Sequence, residues 1–278
     1  MSIAINRKIP ITTKCSLLFG GFFNQFGWLF FGFGLIFFWV FAMNTDLSFL
    51  HFTGKIITVE GIATDSFETG ASENDISVFE NHYKFTTTEE DEFESFSYST
   101  GRNIQIGKTV TIEYPEGKPQ YSRIKGMRRH TFGPAALLVV IFPLVGLAFI
   151  FLGIRKSMRA IRLFKNGELT KGKLISKVPT NTQINEQTVY KLTFRFKDKL
   201  GNEFSVSEKT HLPDLLEDEK EESLLYLQNN PDYAIMLDTL PSSPSINEEG
   251  DIKSSPFIKS LLPIIIPLIT ILGHVHTL

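Results

Sequence analysis

The chain has 278 residues, a formal net charge of −2 and a mean hydropathy of +0.02, averages that suit either one soluble domain or a chain that alternates apolar and polar blocks. The blocks decide between them: many of the 26 phenylalanines fall within residues 17–52, and both polar stretches are acidic, with 14 Asp and Glu against 5 Lys and Arg over residues 44–122 and 16 against 10 over residues 166–256. Basic charge sits beside the apolar runs instead, which disfavours nucleic acid as a partner, because a phosphate backbone needs a basic face on a folded domain.

In chain order, Arg7, Lys8 and Lys14 precede an uncharged run over residues 15–43. That run is too long for a cleaved signal peptide and lacks a small-x-small site, so residues 1–43 read as an N-terminal segment and an uncleaved anchor, with the spanning helix over about 22–43. Asn24 and Gln25 are expected to face another helix or the headgroups, and Trp39 suits an interfacial belt. The single cysteine, Cys15, rules out an intramolecular disulfide framework and a cysteine-rich zinc site. Gly20, Gly27 and Gly34 recur every seven residues, and Gly146 and Gly153 repeat that spacing later. Small residues on one helix stripe let two membrane helices approach closely, so Gly27→Leu or Gly146→Leu is expected to destabilise the fold or an oligomer, and the same change at Gly32 to do less.

Residues 44–130 predict a small β-domain, with period-two apolar placement at 55–63, 82–87, 93–99 and 109–114. The acidic run 89–92 reads as a solvated hairpin tip, and the gap after Tyr98 as an open edge suited to a partner strand. Residues 131–154 hold no charge and predict a second span; Arg123, Lys125, Arg128 and Arg129 flank it on one side, and Arg155, Lys156, Arg159, Arg162 and Lys165 on the other. Residues 155–241 predict a second β-domain: a short basic helix, strands at 172–178, 189–196, 203–207 and 224–227, and an acidic, helix-like insert at 213–223. Residues 242–255 have linker composition. Residues 256–278 predict a third span, in which Pro263 and Pro267 need neighbours to satisfy freed carbonyls and Lys259 snorkels to the near surface.

The two polar blocks align: Gly61 with Gly172, Tyr83-Lys84 with Tyr190-Lys191, Phe96 with Phe204 and Ser97 with Ser205. At their ends Tyr114, Pro119 and Tyr121 match Tyr226, Pro231 and Tyr233 without a gap. The repeating unit is one membrane helix plus one small β-domain, offset by about 110 residues. Proline suits a turn into a last strand, and the tyrosines are expected to pack across the open end of each domain with wet hydroxyls. The pattern of a span, Gly-x-Ile, Tyr-x-Phe, Phe-x-x-Ser, Tyr-x-x-x-x-Pro and another span resembles the membrane proteins grouped as the domain of unknown function numbered 3592, here in two tandem copies. The second copy departs from it, with Leu227 where a proline follows the tyrosine and with the acidic stretch. The resemblance implies a small β-barrel-like domain attached to membrane helices and brings no activity with it.

The expected fold is thus an α+β membrane protein with three transmembrane helices and two small, mainly antiparallel β-barrel-like domains related by internal duplication. The basic residues before the first span place the N-terminus in the cytoplasm, the first β-domain outside it and the second inside. No catalytic, cofactor or metal constellation emerges. His51, His82, His130, His211, His274 and His276 form no His-x-x-x-His pair, His274 and His276 stand near the end of the sequence, and His130 reads as interfacial. There is no Gly-x-Ser-x-Gly elbow, and Gly32-Phe33-Gly34 lies in a lipid-facing run. The first two spans lack ionisable residues, which argues against a transporter. The expected function is non-enzymatic: the β-domains serve as interaction or scaffold modules, with the lipid bilayer and a protein partner or self-association as partners. The alternative is an accessory subunit or membrane-bound hydrolase using carboxylates of residues 214–222.

Overall fold

The computed structural model describes residues 6–247, 250–253 and 256–275. The ends of the first and third expected segments, at 1–5 and 276–278, and residues 248–249 and 254–255 of the expected linker therefore lie outside the described residues, as does His276. The chain divides into two compact units, Met1–Gly32 with Leu144–Leu278, and Phe33–Pro143.

Helix α1 (Ile11–Phe19) is separate from α2 (Phe22–Phe37), because Gly20 and Gly21 interrupt the run and Gly21 takes φ +81°, a conformation that favours glycine. A π-helical turn, Phe38–Ala42, continues α2. A 3-10 segment, Pro134–Val140, leads into α3 (Ile141–Asn166), and α4 spans Phe257–Val275. Three stretches, Phe22–Ala42, Pro134–Asn166 and Phe257–Val275, are long and apolar enough to cross a membrane. The basic residues after Ile154 form no separate short helix: no glycine or proline interrupts residues 154–166, so α3 runs on through them. That extension buries Ala160, Leu163 and Phe164 with Leu17 of α1. At its end Arg7 donates to the carbonyls of Gly167 (2.6 Å) and Phe164 (3.4 Å), so this cation satisfies acceptors at a helix C-terminus.

Strands β1 (Ile56–Glu73), β2 (Ile76–Thr86), β3 (Glu92–Thr100), β4 (Thr109–Pro115) and β5 (Arg123–Ile124) form one antiparallel sheet, ordered β3-β2-β1-β4-β5. Strands β6 (Glu168–Ile184), β7 (Gln187–Lys197), β8 (Glu203–Thr210), β9 (Glu222–Leu227) and β10 (Asn230–Met236) form a second antiparallel sheet, ordered β8-β7-β6-β9-β10. The orders are the same, and the agreement extends to register. Gly61 faces Phe85 as Gly172 faces Phe196, and the ladder shifts after Ala63 and Glu68 as it does after Leu174 and Pro179, every pair 111 positions apart. Both hairpins turn on two left-handed residues, Asn74-Asp75 and Asn185-Glu186, as two-residue turns matched to strand twist require. Thr69 Oγ1 donates to Val78 O at 2.9 Å and Thr180 Oγ1 to Val189 O at 2.7 Å.

The register corrects the sequence alignment. The counterpart of Tyr83 is Phe194, that of Phe96 is Ser207 and that of Ser97 is Glu208, because the connections from β2 to β3 and from β7 to β8 are equally long and the offset of 111 persists through them. The acidic stretch forms no α-helix and is not a large insert. A 3-10 turn, Pro213–Leu216, is followed by irregular chain, and the offset grows only to 112 between Tyr114 and Tyr226. Lys177 and Lys171 draw Glu217 and Glu219 outward at 2.6 and 2.9 Å, while Leu216 is buried in the sheet core. The described part of 242–255 is also folded: Ile246 bridges Ile252, and Ile252 packs in the cluster beneath β9 and β10.

Each sheet curls around its own core. The first encloses Ala63, Tyr83, Phe85, Ile112 and Ile124; the second encloses Leu192, Phe194, Phe196, Leu224 and Met236. In the first, Tyr98 and Arg128 exchange two backbone hydrogen bonds of 2.7 and 2.9 Å, which ties β3 to the chain after β5. The gap expected after Tyr98 is therefore closed by the protein itself, with Ser99 Oγ also donating to Arg102 O at 2.6 Å. In the second sheet no strand pairing joins β8 to β10 among the described residues. Strands β9 and β10 are apolar on both faces because Leu225, Leu227, Ile235 and Leu237 pack against α3 while Leu224, Tyr226, Ala234 and Met236 line the core.

Candidate functional site

The matched tyrosines divide by role. Tyr114 and Tyr226 are core residues: they lie 5.6 Å from Phe85 and 5.4 Å from Phe196 by ring centroid, and their hydroxyls accept the N–H of Thr88 and Lys199 at 3.4 and 3.1 Å. Their hydroxyls thus terminate hairpin loops rather than meeting water. Tyr121 stacks on His51 at 4.2 Å beneath Arg129, and Tyr233 lies beneath Arg159 at 4.4 Å, a cation over a ring in each case. The prolines differ: Pro119 opens a 3-10 turn and Pro231 lies within β10.

Four of the five spaced glycines lie where α2 meets α3. A Cβ at Gly27 would come 2.7 Å from Ile150 N, one at Gly34 2.6 Å from Pro143 N, one at Gly146 2.5 Å from Phe31 N and one at Gly153 2.5 Å from Asn24 Oδ1. Gly20 lies elsewhere, against Ser16 O and Pro241 after β10. Gly32 faces α4, where a Cβ would sit 2.6 Å from Thr270 Oγ1; the obstacle is a side chain there and backbone at Gly27 and Gly146.

Polar side chains of α2 meet the other helices. Asn24 is buried and donates to Gly20 O and Ser157 Oγ, both at 3.2 Å. Gln25 Nε2 donates to Phe19 O at 2.6 Å and to Pro263 O at 2.8 Å. Pro267 has no N–H for the carbonyl four residues before it, so Gln25 supplies the donor that the proline withholds. Thr270 Oγ1 donates to Trp28 O at 3.4 Å and the His274 ring lies 3.1 Å from Gly32 O, so α4 runs parallel to α2 along one polar stripe. Gln25→Leu is expected to lower stability by about 1–2 kcal/mol by leaving Pro263 O and Phe19 O without a donor. Thermal unfolding of the detergent-purified chain measures this, and an unchanged midpoint would refute it.

The outer surface of β1, β2 and β3 carries an aromatic ladder. The register sets Phe67, Glu80 and Tyr98 in one row and Asp65, His82 and Phe96 in the next. Ring centroids run from Phe67 to His82 (5.3 Å), from His82 to Phe96 (5.5 Å) and from Phe96 to Tyr98 (5.7 Å). Phe67 and Phe96 are 45% and 42% exposed. Both oxygens of Glu80 are engaged, Oε1 with His82 Nε2 at 2.7 Å and Oε2 with the Tyr98 hydroxyl at 2.8 Å. Burial and the Glu80 carboxylate push the Tyr98 hydroxyl up to about 12, so it stays a donor at neutral pH. The corresponding positions of the second sheet are Val178, Lys191 and Lys209 in one row and Ser176, Thr193 and Ser207 in the other. The same backbone thus folds without these rings.

A cleft of about 340 Å³ opens where the break between α1 and α2 meets α3, the end of β8 and the chain after β10; Phe22, Asn24, Lys156, Glu208, Leu212 and Asp238 line it. Glu208 occupies the β8 position that in the first sheet holds Ser97, whose Oγ accepts the Ile124 N–H at 2.9 Å and links β3 to β5. Burial pushes the Glu208 carboxyl up, against the pull of Lys156 and Arg159. Glu222 and Asp238 are likewise pushed up, by burial first and then by neighbouring carboxylates including Asp218 and Glu219. Sequence reasoning passed over Glu208, because a lone glutamate on a short strand resembles a solvated position.

These shifts carry a sign. Groups with raised folded values hold protons the unfolded chain has released, so the second sheet gains stability as pH falls from neutrality toward the ordinary carboxylate range. Glu73 in the first sheet behaves oppositely. Burial pushes it up, but hydrogen bonds from Thr100, Arg128 and the Gly133 N–H outweigh that and hold it below the usual range, so its contribution is lost only in stronger acid. Hydrogen exchange is expected to show greater protection of β6–β10 on mild acidification, with Glu222→Gln reducing that gain; equal responses of both sheets would contradict it.

Among the described residues no cluster of His, Cys, Asp or Glu could hold a metal ion. Of the acidic stretch, Glu217 and Glu219 are held in ion pairs and Glu222 accepts the Glu219 N–H at 3.3 Å. No family model matches the chain, and no curated protein and no solved structure matches it either.

Proposed function

We propose that the chain is a three-span membrane protein carrying two copies of one β-module, and that it works by binding a protein partner rather than by catalysis. Identical strand order, shared ladder shifts and matched Thr and Tyr hydrogen bonds support duplication of the module, and the motif resemblance to the domain of unknown function numbered 3592 agrees with such a module. The basic residues before α2 support a cytoplasmic N-terminus in a cell membrane, the first β-module outside and the second inside.

The aromatic ladder carries the binding reading. Phe67 and Phe96 are large exposed rings at positions where the sister sheet holds Val178 and Ser207, so folding does not explain them. The polar groups between them hydrogen-bond to one another, leaving a flat apolar surface of the kind that a protein partner covers. A Phe67→Ser, Phe96→Ser double variant is expected to fold and to lose at least tenfold in recovery of a stoichiometric partner from native membranes. Undiminished recovery, or a partner that follows the second module instead, would overturn the reading.

A further inference from the structure

The cleft below β8 is a site of a different kind from the aromatic ladder. Its walls separate into an apolar side, with Phe22, Phe23, Leu212 and Leu215, and a charged side, with Lys156, Glu208, Lys209 and Asp238. Phe22 is the first residue of the apolar stretch of α2 and is 69% exposed, while Lys156 follows the uncharged part of α3. The cleft therefore stands at the ends of the apolar helices, at the level of lipid headgroups in a spanning arrangement. The 3-10 turn Pro213–Leu216 buries Leu216 and leaves Leu215, with the preceding Leu212, exposed at the cleft edge.

The charges on the wall balance, two cations against two carboxylates, so a net anionic head gains no more than a net cationic one. Asn24 is 2% exposed and its Oδ1 has no hydrogen-bond partner among the described residues. Glu208 is half-buried and its carboxylate accepts no hydrogen bond among the described residues, the cations Lys156 and Arg159 acting on it through charge alone. A half-buried carboxylate without a hydrogen-bond donor calls for a ligand that brings N–H groups, and the lysines call for an anion on the same ligand.

We propose that this cleft binds the head of an aminophospholipid, a zwitterion whose ammonium meets Glu208 and Asp238, whose phosphate meets Lys156, and whose acyl chains leave past Phe22 and Phe23. The headgroup supplies one ammonium with three N–H donors and one phosphate, which matches the wall in sign. Apolar walls beside the polar ones distinguish a lipid from a free headgroup, and the cleft volume suits a head with the first part of its chains. The inference rests on the membrane reading above and not on the aromatic ladder.

The test uses the full chain in nanodiscs assembled from equal parts of phosphatidylethanolamine, phosphatidylglycerol and phosphatidylcholine, with the retained lipids counted after detergent extraction. Phosphatidylethanolamine is expected to be enriched at least fivefold over each competitor. Glu208→Gln should abolish the enrichment, whereas Glu203→Gln, at an exposed β8 carboxylate beside Arg195 and Lys197, should keep it. Should Glu208→Gln fail to fold, Lys156→Gln serves in its place and should lose most of the enrichment. Equal retention, preference for phosphatidylglycerol, or enrichment that survives both variants would overturn the proposal. Displacement of the lipid by glycerophosphoethanolamine at comparable concentration would also overturn it, since the apolar walls would then contribute nothing. A chain that does not reconstitute into bilayers at all would refute the membrane reading instead.

Discussion

Gly146→Ala is expected to destabilise the chain severely, by about 3 kcal/mol or more, although alanine is the better helix former by about 1 kcal/mol. The reason is the approach of α3 to α2: an added Cβ would lie 2.5 Å from Phe31 N and 2.6 Å from its Cα, and backbone atoms inside a helix cannot step aside as a side-chain end does. The helices must separate, which also pulls Ile150 from Gly27 and Asn24 from Gly153 and Ser157. Gly146→Leu should leave little folded protein. The internal control is Gly273 in α4, where an added Cβ meets nothing within 4 Å, so Gly273→Ala should be neutral or slightly stabilising. Thermal unfolding of both variants in one detergent decides it; similar midpoints for Gly146→Ala and Gly273→Ala would contradict the helix contact.

The second large effect is expected at Asn81, at 0% exposure in the first sheet. Its Oδ1 accepts the Ile104 N–H at 3.0 Å and the Ser66 hydroxyl at 2.8 Å, and its Nδ2 donates to Ser99 Oγ at 3.0 Å. The corresponding position of the second sheet is Leu192, also fully buried, so Asn81→Leu exchanges one sheet's solution for the other's. It should nonetheless cost about 3 kcal/mol or more, because the Ile104 N–H and the Ser66 hydroxyl lose their acceptor, and Ser99 Oγ loses a donor, while staying buried or half-buried. Loss of protection confined to β1–β5 in hydrogen exchange would bear this out. An unchanged exchange pattern would show that the neighbours find other partners.

How far the chain could be read in advance varies with the physics. The apolar helices are legible because hydrocarbon thickness demands a minimum uncharged length, and Gly27, Gly34, Gly146 and Gly153 are legible because a seven-residue spacing keeps small residues on one stripe. The contact of Gly32 with Thr270 is not legible, since the two are more than two hundred residues apart and no spacing announces it. Strand centres such as 109–114 follow from alternation; the arms that carry β1 and β6 to Glu73 and Ile184 do not, because most of their residues are polar and no apolar residue alternates through them, so only the Asn74-Asp75 and Asn185-Glu186 turns mark them. Alignment by residue type paired Phe96 with Phe204, whereas backbone register pairs Phe93 with Phe204, and only the register reveals that the aromatic ladder has a polar counterpart. Glu208 acquires meaning only from the cleft around it.

Cysteine accessibility in intact cells tests the account most directly. In a Cys15→Ser background, Ser72→Cys near the tip of the first hairpin and Ser243→Cys after β10 both stand at exposed positions. A membrane-impermeant thiol reagent is expected to reach position 72 in whole cells and position 243 only after the membrane is opened. Labelling of position 243 alone, or of both positions without permeabilisation, would contradict a chain whose three apolar helices cross the bilayer and set the two modules on opposite sides.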